Sequence, residues 1–201
     1  MAACIDDTLP GDIGMDAVGD ASGDVDRVDA ACEGSAKVPP PTGTSCLGTV
    51  ENIPSRGANH ILEPTPISYV DGPPSSGDHR PAWAKWGEYD YLGPQRWVHN
   101  LEHGGIAFLY DPGVDAGTIS TLREYARGMP DDDSGPFRWV LTPYPGLGRA
   151  VAVVAWEWTW QSDCLDAAGV DDLEGFINLH YRQAPEDFAS DGSYSVGWMG
   201  R

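Results

Sequence analysis

Five histidines occur in this 201-residue chain, and four of them, His60, His79, His99 and His103, fall between residues 60 and 103. Imidazole nitrogens bind zinc, copper, nickel and iron, with metal–nitrogen bonds of about 2.0 Å. His99 and His103 stand four residues apart in Trp97-Val98-His99-Asn100-Leu101-Glu102-His103-Gly104-Gly105. On a helical turn that spacing places both rings on one side. His79 ends the Pro- and Gly-shaped stretch Pro73-Pro74-Ser75-Ser76-Gly77-Asp78, and His60 opens the irregular region before it. The four are expected to ligate one transition-metal ion. A histidine-rich set without thiolates in an oxidising compartment points to copper or zinc.

A related protease pattern, H-E-x-x-H, is excluded by the position of its acid. Glu102 precedes the second histidine instead of following the first, and a helix is expected to turn it away from the histidine face. Glu102 is left with three roles: orienting an imidazole from outside the ligand set, accepting a proton from metal-bound water, or serving as an ordinary salt bridge or cap. His180 falls on the apolar face of a helical segment and reads as a core or edge residue. Met199, a soft donor for copper, reads as a tail residue. Trp83, Trp86, Tyr89, Tyr91 and Trp97 can line a sugar-binding surface, although aromatics in such a stretch more often pack it. No Gly-rich phosphate loop, nucleophile elbow or basic nucleic-acid patch is present.

The elements that must hold these residues can be read from periodicity. Residues 60–97 have no sustained period and are dense in Pro, Gly and aromatics, which predicts a long ordered irregular segment. Gly105–Tyr110 suits a buried strand. Asp115–Arg127 has helical spacing, with Asp115 as N-cap and Gly128 as C-cap. Phe137–Thr142 and Val151–Trp160 are β-rich and separated by Pro143-Tyr144-Pro145-Gly146, which predicts an antiparallel hairpin. Asp171–Arg182 predicts a helix with Leu173, Phe176, Ile177 and His180 on one face, before Pro185. The fold class expected is α+β: a single compact domain over 44–201, mostly antiparallel, with helices packed on one face.

Residues 1–43 read differently. Up to Gly34 they carry nine acids against one base, with little to bury, so they are expected to form a disordered acidic linker. The Gly-Asp pairs at 11–12, 19–20 and 23–24 lack the fixed period and closing Glu of a calcium loop. The net charge of −19 opposes nucleic-acid binding and docking on anionic lipid, and favours cations. No stretch is long and apolar enough to span a bilayer, and no signal peptide is read, since Asp6 follows Met1 closely. Met1-Ala2-Ala3-Cys4 matches the end of a bacterial lipobox, so Cys4 is expected to carry a lipid anchor, with an ordinary tail cysteine as the alternative. Among Cys32, Cys46 and Cys164 one disulfide is expected, Cys46–Cys164 in preference to Cys32–Cys46.

The succession Gly72-Pro73-Pro74-Ser75-Ser76-Gly77-Asp78-His79, Gly87-Glu88-Tyr89 and Val98-His99-Asn100-Leu101-Glu102-His103-Gly104-Gly105 resembles the DUF3105 family. Leu141-Thr142-Pro143-Tyr144-Pro145-Gly146-Leu147 and Ala155-Trp156 extend the resemblance, which covers roughly residues 46 to 188. It implies a bacterial secreted or lipid-anchored protein of undetermined role, with His60, His79, His99 and His103 at motif positions. The function expected is extracytoplasmic sequestration or handling of copper or zinc. The alternatives are a metal-dependent enzyme with three His ligands and an open position, and an aromatic-lined binding module without metal.

Overall fold

The computed structural model describes residues 45–201; the acidic segment 1–43, Cys4 and Cys32 lie outside the described residues. Seven strands form one sheet: β1 (Thr49–Asn52), β2 (Gly87–Tyr89), β3 (Ile106–Tyr110), β4 (Trp139–Pro143), β5 (Val151–Ala155), β6 (Trp158–Ser162) and β7 (Trp198–Gly200). Three helices accompany them: α1 (Pro94–Glu102), α2 (Ala116–Gly128) and α3 (Ala167–His180). The strand order is β1-β6-β5-β3-β4-β2-β7. Pairing is antiparallel except where β4 lies parallel to β3 and to β2. This is the expected α+β domain with a mostly antiparallel sheet.

Alternation along the central strands builds two cores. Ile106, Phe108, Trp139, Leu141, Val151 and Val153 face one way and pack with Leu122 and Ala126 of α2 and with Leu173, Phe176 and Ile177 of α3. Ala107, Leu109, Val140, Ala152 and Val154 face the other way and pack with Trp97, Val98 and Leu101 of α1. The expected helix layer is thus α2 and α3, while α1 lies on the opposite face beneath the irregular segment. Burying each of the three large α1 side chains is worth about 1.5–3 kcal/mol, so this short helix is held by packing.

The helices begin where short acids can cap them. Asp115 accepts a hydrogen bond from Thr118 N at 3.0 Å, as expected. Asp166 accepts one from Gly169 N at 2.8 Å, which starts α3 earlier than the predicted Asp171. The predicted hairpin between 137–142 and 151–160 does not form. β3 is buried on both sides and apolar throughout, and it takes the central position between β4 and β5. The 151–160 run instead folds on itself as β5 and β6, with Ala155 opposite Trp158 and Glu157 at a φ of 65°.

Cys46, just before β1, is bonded to Cys164, just after β6, with Cα atoms 5.0 Å apart. Of the two expected pairings this is the one formed. It closes a separation of 118 residues, and chain-entropy reasoning assigns such a loop about 4–5 kcal/mol. Cys164→Ser should lower unfolding stability by about 2–5 kcal/mol in urea titration of the oxidised protein. An unchanged midpoint would show that the bridge does not constrain the unfolded chain.

Candidate metal centre

The site starts from the end of α1. Pro94 occupies the first helical turn, where its missing N–H costs nothing. The helix stops because Gly104 adopts a φ of +81° and donates from N to Leu101 O at 2.9 Å. A Cβ on Gly104 would lie 2.9 Å from Arg182 Cα, and one on Gly105 would lie 2.5 Å from the Trp86 ring. The last turn therefore buries His99, Asn100, Glu102 and His103, all 6% exposed or less.

Asn100 ties that turn to the irregular segment. Its Oδ1 accepts from Ala84 N at 3.0 Å and its Nδ2 donates to Ala84 O at 2.8 Å. Further back, His60 and His79 form a parallel β-bridge, with His79 N donating to Asn59 O at 2.9 Å and Ile61 N to His79 O at 2.8 Å. Arg80 N donates to Gln95 O at 2.8 Å. These main-chain bonds bring His60 and His79 against the helix that carries His99.

The three imidazoles surround one point. Ring centroids lie 4.9 Å apart for His60 and His79, and 4.6 Å apart for His99 from each of them. His79 Nδ1 lies 2.8 Å from Gly77 O, and His99 Nδ1 lies 2.7 Å from Arg80 O. Each Nδ1 must carry the proton in such a bond, which leaves Nε2 as a lone pair directed inward. Glu102 joins them: its Oε2 lies 3.0 Å from His79 Nε2, 3.6 Å from His60 Nε2 and 3.8 Å from His99 Nε2. One ligand atom from each of His60, His79, His99 and Glu102 lies within 4.8 Å of the others. His79 Nε2 and Glu102 Oε2 are buried without a hydrogen-bond partner. Two acceptors in contact need a proton or a cation between them.

The four predicted histidines are brought together, but not equivalently. His103 Nε2 lies 3.2 Å from His99 Nε2 and 3.0 Å from Glu186 Oε2, and groups with Glu102 and Glu186 instead of with His60 and His79. Its Nδ1 is buried without a partner, in contrast to the anchored Nδ1 atoms of His79 and His99. The expectation that Glu102 turns away from the histidine face is overturned. Residues three apart share a helix face, so Glu102 stands over His99 and meets His60 and His79 from the loop. That i, i+3 relation was available in His99-Asn100-Leu101-Glu102. Glu186 had no comparable local signal, because only the packing of the chain after α3 delivers it.

Hydrophobic and electrostatic surroundings favour neutral imidazoles. Trp83 packs on His99 and His103 with centroids at 5.1 and 4.7 Å, and Phe188 packs on His103 at 5.3 Å. Burial lowers the pKa of His79, and lowers those of His99 and His103 to about 4, with neighbouring imidazoles adding to the effect. Burial raises the Glu102 pKa, and the nearby Glu186 carboxylate adds to it. Trp86, Tyr89 and Trp97 are 1% exposed or less and belong to the core, so no aromatic surface is formed by them. His180 stacks on Trp158 at 4.4 Å, as a core-edge residue. Met199 lies on β7, 54% exposed.

Two outcomes follow. In the metal-free chain, His99 and His103 have folded pKa values near 4 against an ordinary 6.5. Between those values the unfolded chain binds protons that the folded chain does not, so stability falls as pH drops from about 6.5 to about 4. Glu102 acts in the opposite sense, but as one group against His79, His99 and His103. Tm measured in chelator should decline across that interval, and a flat profile would contradict burial of neutral imidazoles. Asn100→Ala strands the N–H and carbonyl of Ala84 and should cost about 2–4 kcal/mol, read as an urea midpoint shift.

A family model described as a protein of unknown function (DUF3105) matches residues 60–192. No curated protein and no solved structure matches the chain. The matched span is more than half of the sequence and contains His60, His79, His99, Glu102, His103 and Glu186, and the chain belongs to the DUF3105 family.

Proposed function

We propose that this protein is an extracytoplasmic metal-binding protein that holds zinc or copper(II) on His60, His79, His99 and Glu102, and that its role is to sequester or hand on that ion. The observation that carries the reading is the buried contact of His79 Nε2 and Glu102 Oε2 at 3.0 Å, with no hydrogen-bond partner for either atom. The Nδ1 bonds of His79 and His99 to main-chain oxygens are the arrangement by which proteins fix the tautomer and orientation of ligating imidazoles. Three imidazoles and one carboxylate suit a divalent ion of the zinc–copper group better than copper(I), which prefers thiolate and thioether donors. His60 has a side chain 49% exposed, which gives the set one face towards solvent and suits exchange of an ion. The Cys46–Cys164 disulfide supports an oxidising compartment. Anchoring through Cys4 belongs to the same proposal.

The proposal is tested by elemental analysis and thermal melting of untagged protein, stripped with chelator and dialysed against zinc or copper(II). The wild type should retain metal. At a free-ion concentration a hundred times Kd it should gain roughly 2.7 kcal/mol of stability. His79→Ala with Glu102→Gln should abolish both effects while the oxidised fold persists. Equal metal content in wild type and double variant would refute the site.

A further inference from the structure

Beside the proposed ion stands a second group of donors that shares Glu102 with the first. Glu102, His103 and Glu186 each offer a ligand atom within 4.8 Å of the other two. His103 is 3% exposed and Glu102 6%, whereas the Glu186 side chain is 57% exposed. The group thus reaches from the buried imidazoles to solvent.

Glu186 is placed there by construction of the chain and not by a loose side chain. Its N donates to Glu102 O at 3.0 Å, and Arg182 N donates to Gly104 O at 2.9 Å. These bonds lay the segment after α3 along the end of α1. Arg138, which is fully buried, donates from Nη1 to His103 O at 2.8 Å and pairs through Nη2 with Asp187 at 2.6 Å. Arg182 pairs with Asp187, Asp132 and Asp133. Arg138 and Arg182 are thus paired with aspartates, and Arg80 Nη1 donates to Ile61 O at 3.1 Å. Among the described residues no Arg or Lys forms an ion pair with Glu102 or Glu186. Two carboxylates converge on one imidazole, and among the described residues neither is paired with an Arg or Lys.

We propose that a second divalent cation binds beside the first, held by Glu102, His103 and Glu186, with the Glu102 carboxylate bridging the two ions. This rests on the reading of the first site as a metal centre. One carboxylate with two oxygens can serve both positions, and metal pairs in proteins stand about 3.5–4 Å apart. The second position has two carboxylates and one imidazole, with water to complete its shell from the Glu186 side. That donor set is harder than the first and takes zinc or manganese. With fewer protein ligands and an exposed carboxylate, it binds more weakly than the first.

The test counts ions in the full chain. Chelator-stripped wild type and Glu186→Gln are dialysed against a zinc series in 0.15 M KCl with millimolar magnesium, which occupies diffuse acidic surface. Zinc is then measured per chain. Glu186 is exposed, and a melting curve in chelator checks that its amide variant keeps the fold. The wild type should take up two zinc ions in resolved steps and Glu186→Gln one, with the tighter step unchanged. Surface binding to the acidic chain is common to both proteins and cancels in the comparison. One zinc in the wild type, or two in Glu186→Gln, overturns the second position and leaves the first standing. No zinc in the wild type overturns both.

Discussion

Everything at the candidate centre depends on burying four polar side chains in one turn of helix. Trp97, Val98 and Leu101 press α1 against the sheet, and helical geometry takes His99, Asn100, Glu102 and His103 out of water with them. A buried polar group without a partner costs free energy comparable to a lost hydrogen bond or more. Asn100 meets this cost with a pair of bonds to Ala84, and His99 meets it with Arg80 O. Glu102 Oε2 does not meet it from within the described chain. The irregular segment 60–97 follows from this constraint, because its main chain must run where those side chains need acceptors and donors.

The same constraint explains why the site is built from a loop on one side and a helix on the other. A sheet or helix alone consumes its own backbone groups. An irregular segment has spare carbonyls, and Gly77 O and Arg80 O are used to hold imidazoles by Nδ1. The loop is itself secured by Glu157 N to Ser75 O at 3.0 Å and by Tyr69 OH to Asp78 O at 2.7 Å. The β5–β6 turn and the imidazole cluster are thus linked through the loop.

Much of this was legible in the residues. The buried strand at 106–110 and the helix capped by Asp115 are where periodicity places them, and the four histidines are neighbours in space, although His103 groups with Glu102 and Glu186 and not with His60 and His79. What escaped was pairing and reach. Nothing local tells β4 that β3, and not β5, will lie beside it. The short strands β1, β2 and β7 carry too few residues to show a period of two. The place of Glu102 between the histidines invites comparison with a protease pattern, but its position is decided by its i, i+3 register with His99. Glu186 depends on the Arg138–Asp187 pair and on main-chain bonds to Glu102 and Gly104, which join parts of the chain that no spacing rule connects.

The uneven exposure of the cluster gives it a direction in time. His79 is fully buried and His99 nearly so, while His60 stands half in solvent on a short bridge of two main-chain bonds. An ion held as proposed meets water on the His60 side first. Its escape begins with the loss of that one bond, after which a competing ligand can enter before the buried donors let go. Transfer by successive ligand replacement then needs no unfolding of the sheet. On that proposal the rate of hand-over would be set by how readily residues 57–61 lift from Gly77 and His79, and the affinity by the donors beneath.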